Sequence, residues 1–569
     1  MRCWSSRHRP RRGPLGNDGM RALLLAAVAA AVLLSASCMP FHLGTGDRPN
    51  FLIIIVDEMR ADDLAHSWPG RRGGSKPIKT PHLDRLTERG VHLSRSYTVH
   101  PYCMPSRATL LTGLMPHAHG VRSNGVNFPH DLPNLVEALV AAGYRSHLVG
   151  KAHFTGWNLP WNKKSDEVDP RNFPEARVMW REGKITAVPT PYFGFQSIDF
   201  LGGHGPGVWG DYFRWLDTEH PDQRAKLNFD NPGPAPQSFK LDIDPEYHYN
   251  SWIADRAIAF LREHSTREAD GQPFFLWTSF PDPHYPWATP EPFYSMYDRA
   301  AVPVSMAAPG ELEKLPPHLV ESSKESLKPF KKSGANLEEQ LRELTAISFG
   351  MITFVDQQIG RMLAELEALG LDEDTVVIFL ADHGDTIGDH GLIRKGPYAF
   401  SSVYQIPSIW SYPKKFESGL VSGALTTHLD FAPTMLELAK LPPLSYFSVD
   451  EPEIEDFGKL APLAGRSLVP VFTGNAEAVQ DAVLVENDDD FLPGRLRTLY
   501  TERYQLTVYV GDEGELPFGM LFDMQEDPRQ VNNLWDDPGS QELKTRLKLR
   551  MLAETIRVQN RSPRLHTGY

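Results

Sequence analysis

The segment FLIIIVDEM, at residues 51–59, decides the fold of this chain. An unbroken apolar run that ends in two acids is typical of a strand buried on both faces of a parallel sheet, with polar side chains at its carboxyl end. TVVIFLADHGD, at residues 375–385, repeats the same pattern. Strands of this kind alternate along the chain with segments of helical periodicity. The alternation predicts an α/β fold with a large doubly wound, mixed but mostly parallel sheet flanked by helices.

The helices and remaining strands follow from the spacing of apolar residues. Between residues 341 and 366 apolar side chains recur at steps of three and four, which predicts a long amphipathic helix. LPNLVEALVAAGY and SWIADRAIAFLREH are predicted helices, and RSHLVGKAH and QPFFLWTSF are the strands predicted to follow them. Because ligands of such sheets bind beyond the carboxyl ends of the strands, we expect the functional site there.

The chain of 569 residues is too long for one ordinary core, and its patterns change along its length. Residues 1–45 are predicted to be an export segment, residues 46–475 the main α/β domain, and residues 476–569 a small antiparallel α+β subdomain. Residues 154–244 are rich in Pro, Gly and aromatic residues and show little periodicity. We interpret them as a loop-rich insertion over the site, where such segments shape substrate choice.

The charge balance bears on the kind of partner. The chain has 58 Lys and Arg against 72 Asp and Glu, a formal net charge of −14. A nucleic-acid-binding protein needs a basic surface to displace counterions, so nucleic acid is excluded as a partner. An anionic ligand would need a local cationic pocket.

The N-terminal segment resembles a secretion signal. Arg21 precedes the apolar run ALLLAAVAAAVLL and the small residues Ser35, Ala36 and Ser37. The run is too short for a comfortable membrane span. Cys38 directly after it also resembles a lipoprotein attachment site. We therefore expect an exported protein, periplasmic or secreted, that contacts a membrane only if Cys38 is lipidated.

Cys103 is the most unusual residue of the chain. The other two cysteines are Cys3 and Cys38, so Cys103 has at most one partner left in an exported form, although exported proteins usually pair their cysteines. Pro105 suits the first turn of a helix, which puts Cys103 at a helix N-terminus, where an anion is favoured. Arg107, one turn on, can reach the same place. A thiolate nucleophile and a metal ligand both remain open on these residues alone.

Acids stand at the ends of two predicted strands. Asp57 and Glu58 end the first, and Asp382, His383 and Asp385 follow the later one. Carboxylates about 4 Å apart repel by roughly 4 kcal/mol at an effective dielectric constant near 20. Their convergence therefore requires a cation or a raised pKa, and a hard divalent ion with oxygen ligands is the simple solution.

The segment CMPSRATLLTG, at residues 103–113, resembles the C-x-P-x-R signature of the sulfatase family, in the alkaline phosphatase superfamily, whose cysteine is oxidised to formylglycine. The resemblance implies one divalent metal, Ca²⁺ first with Mg²⁺ or Mn²⁺ as alternatives. The implied ligands are Asp57, Glu58, Cys103, Asp382 and His383. Glu58 stands where the family usually has Asp, and His383 where it usually has Asn. The Asp-His pair is similar to choline and iduronate sulfatases and phosphonate monoester hydrolases, and an imidazole ligand shifts the choice slightly towards manganese.

Four further motifs resemble sulfatase sequences: GKAH, PDPHYPW, GLIRKGPY and RSNG. They supply Lys151 and His153, His284, Lys395 and Asn124. The resemblance implies that Lys151, His284 and Lys395 bind the sulfate oxygens, with Asn124 in the substrate site. His284 or Lys395 would protonate the leaving alcohol, and His153 would take the proton whose loss expels sulfate from the formylglycine diol. Together these residues would form the cationic pocket.

The resemblance thus implies a sulfatase that cleaves a sulfate monoester of a small molecule or saccharide, after maturation by a formylglycine-generating enzyme. One alternative is a phosphonate monoester or phosphodiester hydrolase with the same site. A second is a catalytically silent secreted binding protein that keeps the fold. Trp157, Trp161, Trp209 and Trp215 of the insertion could stack on a sugar or aromatic ring or could simply pack.

Overall fold

The computed structural model describes residues 48–64, 77–267, 271–332, 334–444, 463–488, 495–511 and 518–559. The described residues belong to one compact unit. The predicted export segment, including Arg21 and Cys38, lies outside the described residues, so export and lipidation stay predictions. Within the described ranges, none of the helices combines the length and apolar character needed to cross a bilayer.

Most strands form one central sheet. In chain order the strands are β1 (Asn50–Val56), β2 (Val91–Tyr97), β3 (Arg145–Gly150), β4 (Ser197–Gly202), β5 (Trp209–Gly210), β6 (Ser238–Leu241), β7 (Phe274–Phe280), β8 (Trp287–Pro290), β9 (Thr375–Ala381), β10 (Gln405–Ile406), β11 (Ser408–Ser411), β12 (Leu420–Thr427), β13 (Ala482–Asn487), β14 (Arg495–Thr501), β15 (Tyr504–Val510) and β16 (Phe518–Asp523). The large sheet has the order β10-β2-β11-β9-β1-β7-β3-β4-β5, with β12 beside β2. Its centre is parallel, whereas β5, β10 and β11 run antiparallel to their neighbours. The predicted mixed, mainly parallel sheet is confirmed.

Helices lie on both faces of this sheet. In chain order the α-helices are α1 (Pro81–Glu88), α2 (Cys103–Thr112), α3 (Pro116–His119), α4 (Leu135–Ala141), α5 (Arg177–Arg181), α6 (Asp211–Glu219), α7 (Pro221–Lys226), α8 (Tyr249–Thr266), α9 (Pro317–Lys332), α10 (Leu337–Ala368), α11 (Ser401–Tyr404), α12 (Phe431–Leu438), α13 (Val469–Phe472) and α14 (Gln541–Val558). The long helix predicted between residues 341 and 366 is α10.

Alternate residues of β1 face different helix layers, which explains its unbroken apolar run. The even-numbered residues from 52 to 56 pack in one core with side chains of α8 and α10. The odd-numbered residues from 51 to 55 pack in a second core with side chains of α2, α4 and α12. A strand covered on both faces has no polar face, so its sequence does not alternate.

The C-terminal part forms the smaller antiparallel sheet that the sequence predicts. Its four strands pair in chain order from β13 to β16. Helix α14 packs on one face through Leu547 and Met551, against leucines of all four strands. The exact boundary at residue 475 stays a prediction.

The segment predicted as a loop-rich insertion, residues 154–244, contains more regular structure than its composition suggested. It holds helices α5, α6 and α7 and strands β4, β5 and β6. Strand β4 pairs parallel with β3 and so extends the main sheet. The insertion therefore both covers the sheet edge and adds strands to it.

Candidate active site

The carboxyl ends of four adjacent parallel strands form the base of the site. Val56, at the end of β1, lies opposite both Ala381 of β9 and Phe280 of β7, so the next residues, Asp57 and Asp382, emerge side by side. The backbone N–H of Asp382 donates to the Val56 carbonyl at 3.2 Å and continues the ladder. Lys151 follows β3 in the same way. The predicted convergence of the two acids is therefore found.

Helix α2 brings Cys103 to these strand ends. The helix begins at Cys103, as predicted from Pro105, and all its residues are buried. The Ser106 hydroxyl donates to the Asp382 carbonyl at 2.7 Å and ties the first turn to β9. The N–H of Met104 donates to Asn124 Oδ1 at 3.0 Å, so the predicted substrate ligand Asn124 satisfies a free amide at the helix start. Its role towards substrate stays a prediction.

Four buried residues form a group that can hold a metal ion. Asp57, Cys103, Asp382 and His383 each offer a ligand atom, and these atoms all lie within 4.8 Å of one another. Cys103 Sγ is 3.2 Å from His383 Nε2 and 3.6 Å from Asp57 Oδ1. If residue 103 is formylglycine, Sγ marks the place of an oxygen on that side chain. Two carboxylates, an imidazole and such an oxygen fit a divalent cation.

Both carboxylates of this group are held in the ionised form. Burial alone would raise the pKa of Asp57, but the charges of Lys151 and His284 and a hydrogen bond from His204 outweigh it and keep that pKa well below its usual value. Burial and the charge of Asp57 also raise the pKa of Asp382, yet the remaining neighbours, Arg107 among them, hold it below the ordinary value. Two anionic oxygens are thus ready for a cation.

Arg107 is a fully buried guanidinium that organises the group. Its Nε donates to Asp382 Oδ2 at 2.9 Å, and Nη1 donates to the Lys151 carbonyl and to Ser279 Oγ, each at 2.9 Å. Nη2 is buried and has no hydrogen-bond partner among the described residues. A buried donor without a partner is costly, so Nη2 is placed to bind an anionic oxygen that enters the site.

The predicted cationic pocket is assembled around Cys103. Lys395 Nζ lies 3.3 Å from Cys103 Sγ, 2.7 Å from His284 Nε2 and 3.1 Å from His383 Nε2. Lys151 forms a very short ion pair with Asp57 on the other side. The structure therefore brings together Lys151, His284 and Lys395, which the sequence analysis assigned to the sulfate oxygens.

Glu58 lies beside this metal-ligand group. Its backbone is in the left-handed region, with a φ of 68°, and its N–H donates to Asp382 Oδ1 at 3.2 Å. Its Oε2 lies 3.0 Å from His284 Nε2 and 3.6 Å from Lys395 Nζ. The carboxylate thus contacts the cationic pocket, and the predicted role of Glu58 as a metal ligand remains a prediction.

His153 lies in the loop after β3, held by a carboxylate from the insertion. Its N–H donates to Glu175 Oε2 at 2.7 Å, and its ring stacks on Trp157 with a centroid distance of 3.9 Å. Burial, followed by the charges of Lys151 and Arg107, lowers the pKa of His153 well below its usual value. The lowered pKa keeps the imidazole neutral. Its predicted catalytic role stays a prediction.

His204 is a site residue that the sequence analysis did not identify. It follows β4, and its Nε2 lies 3.0 Å from Asp57 Oδ2 and 3.2 Å from Lys151 Nζ. Its ring lies parallel to that of His284, at a centroid distance of 3.5 Å and an angle of 6°. The only signal was GGHGPG, a histidine among glycines after a short apolar run.

The insertion tryptophans have different environments. Trp157 covers His153, and Lys151 Nζ lies 5.0 Å from its ring centroid. Trp209 packs edge-on against Trp157 at 5.2 Å, whereas Trp161 is 97% exposed. Trp157 thus contacts two of the predicted site residues, His153 and Lys151.

Comparison with known proteins agrees with this geometry. The profile of the family described as Sulfatase matches residues 49–441, and that of the C-terminal region of N-sulphoglucosamine sulphohydrolase matches residues 388–557. The multifunctional alkaline phosphatase superfamily protein PehA of Trinickia caryophylli is 28% identical over 529 residues, which cover 86% of this chain and 92% of that protein. An arylsulfatase of Clostridium perfringens is 26% identical over 509 residues, covering 88% of this chain and 92% of that protein.

A similar fold is found in the phosphonate monoester hydrolase of Agrobacterium radiobacter. The TM-score is 0.72 at 24% identity, and the match covers 90% of this chain and 96% of that one. The chain belongs to the sulfatase family of the alkaline phosphatase superfamily. It is a hydrolase acting on ester bonds, with Cys103 beside a buried cluster of potential metal ligands. The alternative of a catalytically silent binding protein is therefore not supported.

Proposed function

We propose that this protein hydrolyses sulfate monoesters, using a formylglycine made from Cys103 beside one divalent metal. The position of Cys103 carries the proposal. Its Sγ lies at a helix N-terminus, within 3.6 Å of Asp57 Oδ1, His383 Nε2 and Lys395 Nζ. An oxygen nucleophile at this position has metal ligands on one side and a lysine ammonium on the other.

The donor set fits the implied cofactors. Asp57, Asp382, His383 and residue 103 would hold the metal, with Ca²⁺ favoured by the oxygen ligands and Mg²⁺ or Mn²⁺ as alternatives. When bound, the metal supplies Lewis-acid stabilisation of developing negative charge, and the hydrated formylglycine supplies the nucleophilic hydroxyl. The observation that supports this fit is the approach of the four ligand atoms to within 4.8 Å of one another.

The protein side chains bind the ester and move its protons. Lys151, His284 and Lys395 would hold the sulfate oxygens, where preorganised positive charge is most effective. Lys395 Nζ and His284 Nε2 are 2.7 Å apart, so either group can donate a proton to the leaving alcohol oxygen. The two nitrogens then share the proton that remains between them. The neutral His153 would accept the proton whose loss releases sulfate.

The same site suits phosphonate monoesters or phosphate diesters, which is the second candidate. Two observations support this second candidate. The relative PehA is named as multifunctional, and the chain has the Asp382-His383 pair. Comparison of kcat/KM for phenyl sulfate and for phenyl esters of phosphonate and phosphate on one enzyme preparation decides between them. We expect the sulfate to be the better substrate.

Peptide mass spectrometry across residues 103–107 tests the nucleophile. The protein is co-expressed with a formylglycine-generating enzyme, and we expect an aldehyde or its hydrate at residue 103 together with arylsulfatase activity. Elemental analysis of the same sample identifies the metal. A thiol that persists at Cys103 in an enzyme with full arylsulfatase activity would refute the proposal.

The proposal includes export and a substrate class. The signal-like N-terminus supports a periplasmic or secreted protein, anchored only if Cys38 is lipidated. Small-molecule and saccharide sulfate esters are the proposed substrates. Fractionation of cells and the mass of the mature N-terminus test the location, and a desulfation screen on sulfated sugars, choline sulfate and aryl sulfates tests the substrate.

A further inference from the structure

A cavity of about 690 Å³ opens beside Lys395. Aromatic side chains line much of it, among them Tyr285, Trp287 and Tyr398. Lys395, also in the lining, has its Nζ 3.3 Å from Cys103 Sγ, so one residue of the cavity lining contacts the proposed nucleophile. Cavities of this size hold ring-sized ligands, and aromatic walls suit the faces of such rings.

Arg394 gives this cavity a charge that the protein does not neutralise. Its guanidinium lies 4.5 Å from the Tyr285 ring centroid and donates to Gln237 Oε1. Among the described residues, no carboxylate is within ion-pair distance of it. The acids of the lining, Glu321 and Glu325, are exposed and paired with lysines of their own helix, at 3.4 and 3.2 Å. The carboxylates of the lining are therefore paired elsewhere and do not neutralise Arg394.

The backbone explains why two successive cationic side chains face one cavity. In an extended strand neighbouring side chains point to opposite sides. Arg394 instead has a φ of 70°, in the left-handed region. Its N–H donates to Asp385 Oδ1 at 3.1 Å, and its carbonyl accepts from the Thr386 hydroxyl at 2.8 Å. These bonds fix a bend that puts both Arg394 and Lys395 in the cavity lining.

We propose that this cavity binds the alcohol portion of the substrate, and that Arg394 binds a second anionic group on it, a carboxylate or a further sulfate. The inference rests on the proposed function, because it requires the scissile sulfate to lie at residue 103. One ring can then present its ester oxygen to Lys395 and its acidic substituent to Arg394. A guanidinium matches either anion with two parallel N–H donors.

The test compares three aryl sulfates on the matured, metal-loaded enzyme. Two carry an anion at the meta position, 3-sulfooxybenzoate and 3-sulfooxybenzenesulfonate, and the neutral reference is 3-sulfooxybenzamide. We expect the wild-type enzyme to prefer an anionic substrate in kcat/KM. In Arg394→Gln this preference should fall roughly 10- to 100-fold, the range for loss of one charge-assisted hydrogen bond.

Two matched variants sharpen the result. Arg394→Lys keeps the positive charge but loses the two parallel N–H donors of the guanidinium, so the preference for an anionic substrate should be partly retained. Neither Gln nor Lys is branched at Cβ, so Arg, Gln and Lys at position 394 carry the same backbone strain. Lys331→Gln removes an exposed positive charge from the last turn of the helix beside the cavity, outside the lining, and should keep the wild-type preference. Whether the wild-type enzyme prefers the carboxylate or the sulfonate substrate indicates whether Arg394 binds a carboxylate or a sulfate, for which the sulfonate stands in.

The outcomes separate this inference from the proposed function. A wild-type preference for the neutral ester, or an Arg394→Gln preference equal to that of the wild type, would overturn the role of Arg394. If none of the sulfate esters, including the sulfated sugars and choline sulfate of the desulfation screen, is hydrolysed, the proposed function fails instead. The cavity is then tested by calorimetric binding of 3-hydroxybenzoate and 3-hydroxybenzamide. Tighter binding of the acid that is lost in Arg394→Gln supports the anion site, and equal binding of the two refutes it.

Discussion

Replacing Glu175 by glutamine tests whether a buried carboxylate of the insertion holds an active-site loop in place. Glu175 is fully buried and accepts hydrogen bonds from the backbone N–H groups of residues 153, 154 and 155, at 2.7, 2.7 and 3.0 Å. The Tyr192 hydroxyl also donates to it, at 2.7 Å. This loop follows Lys151 and contains His153, whose φ is 57°. The N–H groups of residues 153–155 do not pair with a neighbouring strand, so the Glu175 carboxylate accepts their hydrogen bonds instead.

The expected magnitude follows from which donors face each oxygen. Oε1 accepts from Phe154, Thr155 and Tyr192, so the glutamine carbonyl should stay there. The amide nitrogen then replaces Oε2 and faces two donors, the N–H of His153 and the indole N–H of Trp157, which lies 3.3 Å from Oε2. A buried donor left without an acceptor costs about 1–3 kcal/mol. We expect the free energy of opening this loop to fall by about 2 kcal/mol, which is about 30-fold in the open population.

Hydrogen exchange at the amides of residues 153–155 measures that change directly, and kcat/KM measures its consequence. We expect faster exchange and at least a roughly tenfold lower kcat/KM, because Lys151 and His153 lose their position. Glu182→Gln is the control, since Glu182 bonds to Ser165 and Lys184 in the same insertion, away from the loop. If Glu175→Gln matched the control in both measurements, the anchoring role would be wrong.

Three other substitutions test separate parts of the site. Cys103→Ser should take up sulfate once and stall, because serine lacks the second hydroxyl of the diol; intact-protein mass spectrometry would show the adduct, and sustained turnover would contradict the reasoning. His204→Ala should weaken divalent-metal binding about 10-fold or more in calorimetry, because Asp57 loses the partner 3.0 Å from its Oδ2, and an unchanged Kd would exclude this. Burial raises the pKa of Asp282 to about 7, so the folded state binds the proton more tightly than the unfolded state. The resulting stability is complete below about pH 4 and is lost as the pH rises to about 7. Asp282→Asn resembles the protonated form and should flatten the dependence of Tm on pH between about 4 and 7, whereas an unaltered slope would argue against this.

The sequence predicted those parts of the site that follow from local pattern. An apolar run such as 51–56 can be recognised because a strand covered on both faces needs no polar residues. Parallel neighbours end at one edge of a sheet, so Asp57 and Asp382 could be expected to meet. Cys103 could be placed because Pro105 marks a helix start. Each inference used only neighbours in the sequence and one rule of sheet geometry.

The missed residues depend on contacts that no local pattern encodes. His204 is 147 residues away from Asp57, and nothing in GGHGPG indicates which strand end it will approach. Strand β4, which precedes it, is only half-buried over its first three residues, so its apolar signal is short. Its place in the sheet is determined by pairing with β3. Glu175 lies in a segment without periodicity and gains its role only from the amides around it.

The insertion therefore completes the site instead of merely covering it. His204 contacts Asp57, a metal-ligand candidate, and stacks on His284, a predicted ligand of the sulfate oxygens. Glu175 holds the loop that carries His153. The proposed anion site at Arg394 lies in a segment that follows β9, and Gln237 of the insertion accepts a hydrogen bond from the Arg394 guanidinium. The insertion thus contributes both to the metal and sulfate positions, through His204 and Glu175, and to the proposed alcohol pocket, through Gln237. Changes at His204 or Glu175 should alter the metal and sulfate positions, whereas changes at Arg394 should alter the choice of alcohol.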